Sequence, residues 1–259
     1  KHAQRNKKIL KAIQEETALA SSSKLTARGA LIKEGIYTSK GKLRVEFGGK
    51  SDKKEILQLE PISDVFVLGY HGCDGSVARK AVLEGASLLQ SDKSYDWLGP
   101  GAYFWESDPT RALEWANWRA LRGDYKEPTV IGAVIDLGNC LDLVSREDVD
   151  LYKAAYRSFL KVQRLSELPI PRNINPKGAR NTDRLLRFLD CAVFRHLHRI
   201  VELRGQQDPT IEPFDTVRGM FVEGGKVFPG SGIYKKSHVQ IAVRNLSCIK
   251  GIFYHPTSS

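Results

Sequence analysis

The sequence predicts an α+β domain, a mostly antiparallel sheet with a helical insertion, preceded by a small helical and hairpin appendage. Three observations predict it. Strand-length apolar runs lie at both ends of residues 65–255, with amphipathic helical patterns between them. Residues 4–34 carry a helical period of their own. A polar, glycine-containing stretch, GGKSDKKE at 48–55, separates the two. The division that follows is a basic appendage and linker at 1–55 and a main domain at 56–259, with a helical insertion at 146–205.

The elements justify themselves in order. Ile9, Leu10, Ile13 and Leu19 fall near helical spacing in 4–20. Three serines at 21–23 break that run and cap a second helix over 24–34, and Gly35 suits its C-terminus. IYTSKGKLRVEF reads as a hairpin turning at Lys40-Gly41. After the linker come a strand over 65–70, a short helix over 76–84 ended by Gly85, and a Gly/Pro loop into an aromatic strand at 97–106. Asp108 caps a helix from Pro109 to about Arg122. A strand covers 129–137. Two amphipathic helices, 146–165 and 180–204, flank the loop LPIPRNINPKG. Strands over 217–222, 238–244 and 248–254 complete the domain.

Composition limits the partners. The chain has 259 residues and a net charge of +10, with 41% hydrophobic residues. The charge is uneven: +7 over 1–60, −5 over 61–145 and +6 over 146–205. Two basic blocks flanking an acidic one suit a polyanion such as RNA or DNA, or are simply solvated faces. No run approaches the ~18 apolar residues of a membrane span. The opening KHAQRNKKIL holds no signal-peptide core, so a cytoplasmic protein is expected, with no membrane partner. Cys73, Cys140, Cys191 and Cys248 are scattered, and His196 and His198 fall on different helix faces, so no metal is expected.

Three stretches carry candidate chemistry. VLGYHGCD ends an apolar strand at His71 and drops its side chain at Gly72. Such a pair either offers an imidazole and a bare backbone to a ligand or closes a strand in a turn. GPGAYF delivers Tyr103, which either stacks on a flat ring or fills the core. In HVQIAV, alternation puts His238, Gln240 and Ala242 on one face, with Gln240 a polar residue in an apolar strand. It follows the glycine-rich loop EGGKVFPGSG, able to fold over a ligand.

In this order, YHG, GPGAYF with its helix, and HVQIAVRN resemble the ADP-ribosyltransferase family, in its diphtheria-toxin and poly(ADP-ribose) polymerase branch. The resemblance covers about 65–255. It implies a split antiparallel sheet and a triad of His71, Tyr103 and Gln240, with NAD as co-substrate. His71 would hold the nicotinamide ribose, Gly72 would grip the carboxamide with its backbone, and Tyr103 would stack on the ring. Gly101 of the turn counts with these cofactor-binding positions. Arg111, Arg218 and Arg244 either grip a diphosphate or make surface ion pairs, the ion pair being favoured for any one of them, and Arg111 counts with the cofactor-binding positions. The family's usual glutamate is Gln240 here, which hydrogen-bonds but carries no charge and cannot serve as a base. Glu223 and Glu106 are the candidates for an auxiliary acid.

What the resemblance implies is a mono-ADP-ribosyltransferase of bacterial toxin or phage-defence type. Nucleic acid is the preferred acceptor and protein the rival, with an NAD glycohydrolase or a non-catalytic NAD or ADP-ribose binding module as further alternatives. Arg172, Lys177, Arg180, Arg184 and Arg187 are dense enough to follow a phosphate backbone. Residues 1–55 are expected to act as an antitoxin-like or autoinhibitory segment, or as a basic arm. Trp97, Trp105, Trp115 and Trp118 are read as core and pocket wall rather than as base-stacking platforms.

Overall fold

The structure, a computed structural model, describes residues 2–34, 66–178 and 183–255. Within them the protein is a mixed α+β domain with six helices and a seven-stranded, mostly antiparallel sheet. The expected hairpin near Lys40-Gly41, the 48–55 linker and Arg180 lie outside the described residues.

The elements in chain order are α1 (His2–Ala20), α2 (Lys24–Lys33), β1 (Phe66–Asp74), α3 (Gly75–Leu83), β2 (Ala102–Glu106), α4 (Pro109–Leu121), β3 (Pro128–Asp136), β4 (Cys140–Asp142), α5 (Arg146–Ser166), β5 (Asn173–Ile174), β6 (Leu186–Arg187), α6 (Phe188–Gly205), β7 (Thr216–Phe221), β8 (His238–Val243) and β9 (Ile249–Tyr254). The main sheet has the order β4-β7-β8-β2-β1-β3-β9, and only β4 and β7 run parallel. Caps set the helix starts. Ser23 and Thr26 form a reciprocal capping box for α2, Asp74 accepts from Ser76 N at α3, and Asp108 accepts from Arg111 N at α4.

Three differences from the sequence expectations have physical reasons. β1 runs past residue 70 to Asp74, because β3 pairs with it along its whole length. β4 is a three-residue edge strand made by pairing with distant β7, so no local period announces it. α6 starts at Phe188 rather than near 180, because Leu186 and Arg187 pair with Ile174 and Asn173 in a two-stranded ribbon.

The core has two main parts. On one face of the sheet, α5 and α6 bury Phe159, Val162, Phe194 and Leu197 against Leu141, Val217 and Ala242. On the other face Phe104, Ile131, Ile135 and Ile241 form a second cluster with α3. The expectation of a separate appendage does not describe α1 and α2. Their buried Ile9, Ile13, Ala27 and Leu31 belong to the same cluster as α5 and α6. Arg5 also ties α1 to the sheet, donating to Asp148 at 2.6 Å and to the Cys140 carbonyl at 2.8 Å. The helices of the 146–205 insertion roof one face of the sheet. All four cysteines are buried and free. No described helix is long and apolar enough to cross a membrane.

Candidate functional site

The site opens where β2 departs from β1. Those strands pair only at Gly69↔Glu106 and Tyr70↔Trp105, whereas β1 stays with β3 to Asp74. The next side chain on β1, His71, fills the wedge. Its Nδ1 lies 2.8 Å from the Tyr103 carbonyl oxygen, so Nδ1 donates and Nε2 carries the lone pair of the neutral ring. Burial lowers the pKa of His71, and the bond to Tyr103 offsets only part of that.

Gly72 has two roles. A Cβ there would lie 2.2 Å from the Ala112 carbonyl oxygen of α4, so its missing side chain admits a helix backbone. Its amide groups face elsewhere. The Leu68 carbonyl accepts Ser107 N–H at 2.9 Å, toward β2. Gly72 has the same strand phase, so its N–H and C=O point to that side, beyond the place where β2 has left.

Tyr103 is held by its hydroxyl, which donates to the Gly99 carbonyl at 2.7 Å and accepts Leu98 N–H at 3.0 Å. The WLGPG loop thus closes on the tyrosine and leaves its ring to line the cavity. Burial raises the phenol far above its usual pKa, so it stays neutral. Gln240 sits between Trp105 of β2 and Gly219 of β7 in the register. Its Oε1 accepts the Trp97 indole N–H at 2.5 Å, which leaves the amide NH2 as the group free to face a ligand.

His71, Tyr103 and Gln240 line one cavity of about 330 Å³, at the lower end of the ~300–1,000 Å³ of small-molecule sites. Arg111 and Glu223 line it too and form an ion pair with each other. Arg111 is also paired with Glu114 on its own helix. Burial raises the pKa of Glu223, and Arg111 and Lys236 pull it back. Two buried donors of the lining, the Trp105 indole N–H and Arg111 Nε, have no hydrogen-bond partner among the described residues.

Other expected site residues lie elsewhere. Gly101 does not line the cavity; its N–H and C=O both bond Ser91, at 2.9 and 2.8 Å. Glu106 points away from it and grips Arg218 through both carboxylate oxygens, at 2.5 and 2.9 Å. Arg218 also reaches Asp142 at 3.2 Å, and Arg244 binds Glu202 and the Phe214 carbonyl at 2.8 Å each. Neither arginine faces the cavity. In the insertion, Arg172, Lys177 and Arg184 are exposed. Arg187 lies 4.8 Å from the ring of Phe221, a cavity wall, and Asp183 accepts Gly224 N–H at 3.1 Å. The insertion loop therefore meets the cavity rim.

The walls also include Trp97, read from the sequence as core or pocket wall, His238, on the Gln240 face, and two residues not anticipated, Phe221 and Asp96. His238 stacks on Phe221 with centroids 5.7 Å apart, and its Nδ1 donates to the Lys236 carbonyl at 2.7 Å. Its two-residue offset from Gln240 was a readable signal. Burial lifts Asp96 to a pKa of about 6. Among the described residues no three His, Cys, Asp or Glu side chains gather as metal ligands. Compared with known families, characterised proteins and solved structures, the chain matches none.

Proposed function

We propose that the protein is an NAD-dependent mono-ADP-ribosyltransferase with a split-sheet transferase fold, acting on a macromolecular acceptor, preferably nucleic acid. The observation that carries this is the convergence of His71, Tyr103 and Gln240, from three strands, on one cavity at the point where β2 leaves β1.

Each residue has a chemical part. Neutral His71 accepts a ribose hydroxyl at Nε2. The Gly72 N–H and C=O hold the nicotinamide carboxamide from the open strand edge. The Tyr103 ring lies against the pyridinium, whose positive charge a π face favours. Arg111 takes the diphosphate and releases Glu223 from its ion pair. The bond from the ribose anomeric carbon to the nicotinamide nitrogen then breaks, its electron pair leaving with the nicotinamide. The sugar passes through an oxocarbenium-like state, as in glycoside cleavage. A lone pair of the acceptor forms the new bond to the anomeric carbon, and Glu223 takes the acceptor's proton. Gln240 donates to the ribose through its amide but supplies no negative charge. Of the two acids considered, Glu223 alone lines the cavity. An adduct on a nucleic acid blocks its use as a template, which suits a toxin or phage-defence effector.

The test uses NAD labelled in the adenylate phosphate, incubated with the full chain and total RNA, DNA and lysate protein. Label on RNA or DNA is expected. Label on protein would move the acceptor class, and nicotinamide release without transfer would make the enzyme a glycohydrolase. The missing glutamate favours one further reading, a non-catalytic binding module. NAD binding with no turnover at all would establish that instead.

A further inference from the structure

Helix α4 carries a second feature that the triad does not use. Trp115 and Trp118 stand three residues apart on one helix face, 38% and 44% exposed, with ring centroids 5.0 Å apart and planes 30° from parallel. Each has a guanidinium over it. Arg122 lies 4.8 Å from the Trp118 ring centre, and Arg119 lies 5.8 Å from Trp115 and 5.2 Å from Tyr125. Trp115, Arg119 and Tyr125 line the cavity, whereas Trp118 and Arg122 do not. The row therefore begins at the cavity and continues outward along α4. Its setting is also local: residues 109–126 hold four cations (Arg111, Arg119, Arg122, Lys126) against two anions (Glu114, Asp124), inside the acidic third of the chain. Asp124 pairs with both Arg119 and Arg122, which holds the guanidiniums in place and tempers their charge.

We propose that this row binds single-stranded nucleic acid and leads the acceptor nucleotide into the cavity. The proposal deepens the transferase reading and rests on it for the acceptor's role, though not for the binding itself. Exposed flat indoles accept the face of any base, and adjacent guanidiniums take the phosphates between them. A duplex keeps its base faces stacked inside and offers none to Trp118, so the strand must be single. The expectation that these tryptophans are core and pocket wall holds for Trp105, which is 6% exposed, and fails for Trp118.

The test is fluorescence anisotropy of a short labelled oligonucleotide of mixed sequence, without NAD, on the full chain. The single strand should bind more tightly than its duplex, with affinity falling as salt rises. Trp118→Ala should weaken it on the order of tenfold, and Trp118→Phe should restore most of the loss. Arg122→Ala should reduce both affinity and salt dependence. Nicotinamide release without acceptor should be unchanged in Trp118→Ala, because Trp118 lies outside the cavity lining. Equal affinity of Trp118→Ala and wild type, a preference for duplex, or no binding would each overturn the proposal. So would loss of label transfer to a protein, with no oligonucleotide bound, in Trp118→Ala. If the oligonucleotide binds through Trp118 while no ADP-ribose is ever transferred, the surface stands and the transferase reading falls.

Discussion

Two histidines organise two hydrogen-bonded groups in this molecule, and residue type alone does not tell which of them can meet a ligand. His196 on α6 has Nδ1 2.8 Å from Glu34 Oε1 and Nε2 2.8 Å from Ser158 Oγ, and Ser158 also bonds Thr17. By residue type that chain is a nucleophile, base and acid. Yet Ser158 is 4% and His196 2% exposed, and neither lines the cavity. Both ring nitrogens are spent on protein partners. His71 spends one nitrogen on the Tyr103 carbonyl and lines the cavity with the rest of its ring. Access and an unspent lone pair separate a site from a fastener. The fastener joins α1, the end of α2, α5 and α6, so removing residues 1–55 would uncover that core as well as release any inhibitory segment.

Paired substitutions break the comparison cleanly. His71→Ala should abolish nicotinamide release while leaving the denaturation midpoint close to wild type. His196→Ala should do the reverse. It leaves the Glu34 carboxyl, whose side chain is 5% exposed, without its partner, at a cost of about 3 kcal/mol in urea unfolding, with turnover per folded molecule retained. Loss of turnover in both, at unchanged stability, would move the fastener into the active site.

Much of the site was legible because it is written in short-range patterns. The strand alternation that singled out Gln240 is the one the structure uses, with Ile241 and Val243 in the opposite core. The caps at Asp108 and Ser23 were readable for the same reason. What could not be read depends on partners far away in sequence. Glu106 is three residues from Tyr103, but Arg218 claims it from β7. Trp97 and Phe221 meet at 5.1 Å from opposite ends of the domain. The packing of Ala112 onto Gly72, and the way α4 leaves Trp118 in solvent, follow from where a helix lands on the sheet, which its own period does not say.

A smaller effect is expected at Gln240. In Gln240→Glu one carboxylate oxygen can keep the Trp97 indole bond, and the other replaces a donor with a negative charge facing the cavity. Nicotinamide release should stay level or rise by less than about tenfold, a lowering of the barrier by at most roughly 1.4 kcal/mol. Complete loss, read as kcat at saturating NAD, would mean the amide donor itself is required.

A last substitution tests whether the cavity, unlike the fastener, costs the fold stability. Asp96 lines the cavity and accepts Lys93 N–H at 2.7 Å, yet burial raises its pKa from 3.8 to about 6. The folded protein then holds a proton that the unfolded chain has lost between those values. Its stability therefore falls as pH rises from about 4 to about 6, and the cost is fully present at neutral pH. Asp96→Asn removes the ionisation and can keep an acceptor oxygen for Lys93. The variant should be more stable than wild type at pH 7 by up to about 3 kcal/mol, with the difference shrinking through pH 5 and gone near the pH where the unfolded carboxyl protonates. Denaturation midpoints of the two proteins across that range check it. A difference that does not change with pH would mean that Asp96 titrates alike in the folded and unfolded chain, and that the cavity imposes no ionisation cost on the fold.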